Sequence, residues 1–194
     1  MARPPPYGHQ EKPEKNMGLS ISYELELKGT KAEAEAVLGQ WRCALADRHP
    51  GAQVEPVNGE RFGFLVRPGA GAETARFTVR WEDGAWRGSD SPKTQYASLP
   101  QNGGNANFLK VHLLLIDILD TGHQLGIVTQ VSDDGNYYET RNQDMLLQNL
   151  YLNQAAVAQL VGMLKDNFER DQIESPITAH PNFEKLEAVG SLLT

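Results

Sequence analysis

His112, Asp117 and Asp120 share one strongly apolar run, LKVHLLLIDILD, which follows directly on a glycine- and asparagine-rich loop, QNGGNANF. An imidazole there could serve as a base or a metal ligand. Two carboxylates three residues apart could serve a metal or a sugar hydrolase. A glycine loop at a helix start is a place where free backbone N–H groups attract anions.

Spacing removes most of this chemistry. His112 and His123 share a helical azimuth but stand about 16 Å apart along the axis, too far to grip one ion. HExxH is absent, and no other histidine lies at ligand spacing, so neither a metal nor a cofactor is expected. Asp120 is rotated by roughly 80° from His112 around the helix. No second carboxylate is identifiable at the separation that glycosidic acid–base chemistry needs. His112 therefore reads first as a satisfied interior histidine, and Asp117 with Asp120 as a solvated ridge.

The loop keeps more promise. SPKTQYASLPQNGGNANF has neither the GxxxxGK[ST] order nor GxGxxG. Gly103 and Gly104 allow a tight turn, and Asn105 can cap the following helix. Lys93, Gln95, Tyr96, Asn102 and Asn107 add donors if the segment folds back toward His112. These nine residues form the candidate site for a small anionic or polar ligand.

Other motifs are weaker. Asp133, Asp134, Asn136 and Glu139 resemble pieces of a calcium loop at the wrong offsets, and Asp134-Gly135 reads as a hairpin turn. GSDSP lacks a nucleophile elbow. Cys43 has no CxxC partner and reads as packing within a helix. Arg61, Arg67, Arg76 and Arg80 fall opposite Phe62, Phe64, Val66, Phe77 and Val79, on the polar side of two strands. That stripe has glutamates around it, and the chain carries a net charge of -7, so nucleic acid is not an expected partner.

The elements that must position these residues follow from periodicity. LSISYELEL alternates as a half-buried strand. Thr30 and Glu33 make a capping box for TKAEAEAVLGQWRCALADRH, which stops at Pro50-Gly51. AQVEPV, RFGFLV and ARFTVRW read as strands, the first two joined at Asn58-Gly59. KTQYAS suggests a short extended piece. A central helix is predicted from about Ala106 to Leu125, then a hairpin of IVTQV and NYYETR. A long helix follows over QDMLLQNLYLNQAAVAQLVGMLKDNFERD, with Phe168 on its apolar face; its length suggests either a kink near Gly162 or a role in pairing subunits.

The expected fold is α+β, a two-layer sandwich with helices on one face of a mainly antiparallel sheet, in the order β-α-β-β-β-(loop)-α-β-β-α. Residues 1–17 read as a flexible or partner-packed lead, 18–170 as one domain, and 171–194 as an extension. No apolar run reaches the roughly 20 residues that span a bilayer. The expectation is a bacterial, cytoplasmic, non-enzymatic homodimer acting through protein contact or a small anionic or polar ligand. The alternative is a small-molecule enzyme with a pocket built from the Lys93–Asn107 loop and the start of the central helix.

Overall fold

The computed structural model describes residues 18–167 and 175–192. The lead at 1–17, Phe168 and part of the carboxy-terminal extension lie outside the described residues. Six strands, β1 (Ile21–Leu27), β2 (Gln53–Val57), β3 (Phe62–Arg67), β4 (Ala75–Glu82), β5 (Ala85–Asp90) and β6 (Val128–Asp133), form one sheet in the order β2-β3-β4-β5-β1-β6. Every neighbouring pair is antiparallel. The helices are α1 (Lys31–Arg48), α2 (Gly104–Gln124), the single turn α3 (Tyr137–Thr140), α4 (Gln143–Asn167) and α5 (Phe183–Gly190). The α+β class and the one-sided helix layer are as expected.

Alternation explains the layering. Ile21, Tyr23 and Leu25 of β1 meet Phe62, Phe64, Val66, Phe77 and Val79 of β3 and β4 in one core. Leu38, Trp41 and Leu45 from α1 and Leu115, Ile118 and Leu119 from α2 cover it. Trp41 is fully buried and donates Nε1–H to the Ile118 carbonyl at 3.0 Å, which sets α1 against α2. The capping box forms as expected: the Glu33 N–H meets Thr30 Oγ1 and the Thr30 N–H meets Glu33 Oε2. Pro56 sits in β2, at the sheet edge, where a missing N–H does the least harm.

The element order differs from expectation in three places. AWRGSD is a full strand, β5, paired with both β4 and β1. NYYETR is not a returning strand. Asn136 turns left-handed at φ 56 and the chain enters α3. The reason is Asp133, whose carboxylate accepts the N–H groups of Gly135, Tyr137 and Tyr138 and so nucleates a turn. Tyr137 and Tyr138 consequently do not face opposite ways across a sheet; the Arg141 guanidinium lies over both rings. Finally, Tyr96 belongs to a 3-10 turn, Gln95–Ser98, rather than an extended piece.

Candidate functional site

The glycine-rich loop is built from the inside. Gly103, at φ 105, occupies the capping position of α2, and the helix begins at Gly104. Asn105 therefore lies inside the first turn, exposed, and does not cap it. Asn107 donates Nδ2–H to the carbonyls of Ala70 and Ala97, and Asn102 donates to the carbonyl of Tyr96. The Gln95 amide is buried and accepts the Leu19 N–H at 2.6 Å. Gln154 of α4 donates to Ser98 Oγ, which in turn donates to the Gln95 carbonyl, so polar contacts tie α4 through the loop to Leu19, just ahead of β1. Lys93 bridges to Ser20, and its backbone N–H goes to Glu73. The void between Gln95, Tyr96, Leu99 and α4 measures about 10 Å³, below the size of a ligand. Gln95, Asn102 and Asn107 spend donors or acceptors on the protein's own backbone.

His112 is the centre of a second network. Its Nδ1 lies 3.0 Å from Thr94 Oγ1 and its Nε2 lies 3.2 Å from Asp133 Oδ2. Hydroxyl, imidazole and carboxylate thus stand in the order of a nucleophile, its base and an orienting acid. Thr94 and both side chains of the His112–Asp133 pair are 0% exposed. A nucleophile must touch its substrate, and this hydroxyl touches only protein. Burial pushes the Asp133 carboxyl up. The hydrogen bond and charge of His112, with the N–H groups of Tyr138 and Gly135, outweigh that and hold it below its ordinary range. The cluster joins the exit of β5, α2, the end of β6 and α3. Next to it, Asp134 Oδ2 accepts both the N–H and the hydroxyl of Ser20.

Asp117 and Asp120 go separate ways. Asp120 takes a bidentate pair from Arg141 at 2.7 and 2.8 Å. Asp117 Oδ2 lies 2.8 Å from His49 Nε2, and Arg48 Nη1 stands 3.4 Å from both of its oxygens. His49 was not legible as a partner, because 68 positions separate it from Asp117. The only local signal was Pro50-Gly51, which ends α1 and leaves His49 as its cap. Together they border a groove of about 580 Å³.

The polar face of the sheet carries the arginine stripe. Arg67 pairs with Glu55, Arg76 with Asp90 and Arg80 with Glu82, at 3.0, 3.6 and 3.2 Å. Arg61 reaches Thr78. Three of those four cations already face carboxylates, as a salt-bridged wet face requires. Among the described residues no group of three or more His, Cys, Asp or Glu could hold a metal ion, and no helix is long and apolar enough to cross a membrane. No protein-family model, curated protein or solved structure matches this chain.

Proposed function

We propose that this chain is a non-enzymatic protein that acts by binding, and that it does so as a homodimer paired along α4. The observation carrying this reading is the outer stripe of that helix. Between Asp144 and Lys165 no side chain is charged, and Met145 and Leu152 are 39% and 37% exposed. The inner stripe of α4 is occupied: Leu146 and Leu150 pack beside Phe108 and Val111, and Ala155, Ala158 and Val161 pack against Leu186.

Antiparallel pairing of two such helices about a twofold axis at residue 154 sets the apolar stripes face to face. The same register sets Leu152 against Ala156 and brings Asp144 near Lys165. Large residues meet small ones at the centre and opposite charges meet at the ends, the self-complementarity a twofold interface demands. Exposed, unbridged Cys43 suits a reducing cytoplasm. Binding of a small anionic or polar ligand is the second half of the reading. The competing enzyme reading needed an open pocket in the Lys93–Asn107 loop, and the inward hydrogen bonds of Gln95, Asn102 and Asn107 weigh against it.

Sedimentation equilibrium over a wide concentration range tests the assembly. A dimer is expected, with Leu152→Glu weakening it by at least about tenfold because a charge would enter an apolar contact. A 21.5 kDa species at every concentration would remove the dimer from this reading.

A further inference from the structure

We infer that the groove between the end of α1 and the outer face of α2 binds a small organic anion with an aliphatic body. Its volume, about 580 Å³, lies in the range that takes a small organic molecule. Pro50 and Pro68 on one side and Leu113 and Leu114 on the other supply apolar walls without an aromatic ring. That favours an aliphatic body over a stacked planar one.

Arg48, His49 and Asp117 form a polar cluster at one end, and Lys110 stands about two turns of α2 away toward the other. Asp117 orients His49 through Nε2, which leaves Nδ1 as the ring atom available to a ligand; among the described residues nothing bonds to it. Arg48 spends Nη1 on Asp117 and on Thr121 Oγ1, at 3.4 and 2.7 Å, and this fixes the guanidinium while, among the described residues, its other nitrogens bond to nothing. Lys110 is exposed on the rim and makes no ion pair among the described residues. Arg48 and Lys110 outnumber Asp117, so the groove is a local cationic spot on a chain of net charge -7. A carboxylate on the free edge of Arg48, with the Lys110 ammonium reaching along the groove toward it, would bring its chain against Leu113 and Leu114. None of these residues belongs to α4, so the inference stands or falls separately from the dimer.

The test is an NMR titration of the full chain with octanoate, octanol and acetate. Octanoate should shift resonances of His49, Lys110 and Leu113, and should bind more tightly than octanol, which lacks the charge, or acetate, which lacks the body. Lys110→Glu changes an exposed residue and should leave the melting temperature unaltered while weakening octanoate by at least about tenfold, the worth of one charged contact. His49→Gln is the second variant and should weaken it as well. Absence of octanoate binding, octanol or acetate binding as tightly as octanoate, or both variants binding like the parent would overturn the site.

Discussion

The Nε2 atom of His112, in the middle of α2, lies 3.2 Å from Oδ2 of Asp133, at the end of β6, with both side chains sealed from water. The same carboxylate accepts three backbone N–H groups that start α3. One acidic side chain therefore fixes a helix, a strand end and a turn together. Asp133→Asn should cost about 2–4 kcal/mol at neutral pH, because it removes a buried pair and presents an amide donor to backbone donors. Urea unfolding of the two proteins would measure it.

The pH dependence follows from the same carboxyl. Its folded value is depressed, so its contribution is fully present above the ordinary unfolded value of about 3.9 and is lost as pH falls through the folded value. The parent should lose stability more steeply than Asp133→Asn as pH falls from about 4 through the folded value, and the two should run parallel between neutral pH and about 5. Equal slopes in urea series taken across that acid window would show that Asp133 is not a linked group.

Tyr23 stacks on Phe77 with ring centroids 5.0 Å apart, and among the described residues its buried hydroxyl makes no hydrogen bond of ordinary geometry, although the Asp90 carboxylate lies close to it. Burial, followed by the charge of Asp90, pushes its pKa well up. Tyr23→Phe keeps the ring and deletes the hydroxyl, so it should be neutral or stabilising by up to about 1 kcal/mol. A loss larger than that would mean the hydroxyl has a partner in solution.

Gly122 sits where α2 passes beneath α1. A Cβ there would come within 2.4 Å of the Trp41 ring and 2.6 Å of Val128. Gly122→Ala should therefore cost about 1–3 kcal/mol by overpacking, despite alanine's better helix propensity. Trp41 should report it as a changed near-ultraviolet circular dichroism spectrum.

Asn107 separates the structural and ligand-binding accounts of the glycine-rich loop. It donates to two loop carbonyls, so Asn107→Ala should lower the thermal midpoint, at a cost of about 1–2 kcal/mol. An unchanged midpoint would return this side chain to the pool of donors free for a ligand.

What was legible in the sequence was whatever depended on near neighbours. The alternation of β1, the Thr30–Glu33 capping box and the polar placement of Arg76 and Arg80 all rest on fixed short periods. The Asn58-Gly59 turn does connect β2 to β3, though across a longer loop than a two-residue hairpin. β5 was missed because Gly88, Ser89 and Asp90 lack strand-forming side chains; its two neighbours hold it in place. The turn at Asn136 was misread because Asp133-Asp134-Gly135 has the composition of a hairpin, and only the inward Asp133 carboxylate redirects it. The loop donors were the right chemical types. Their targets, the carbonyls of Ala70, Tyr96 and Ala97, come from the folded backbone and leave no trace in composition. His49 and Asp117 meet through the packing of α1 on α2, which the Trp41 bond to Ile118 helps to set.

The position of β1 inside the sheet has a consequence for biosynthesis. Its neighbours are β5 and β6, with Tyr23 opposite Asp90 and Ile21 opposite Asp133. During translation this early strand leaves the ribosome with both hydrogen-bonding edges unmatched, and it keeps one open until the segment around Asp133 has emerged. Pairings so distant along the chain close slowly, because loop entropy is lost before the contacts are gained. The alternating LSISYELEL segment is thus the part of the nascent chain most exposed to a wrong partner strand, and Glu24 and Glu26 on its wet face are the charges that discourage one.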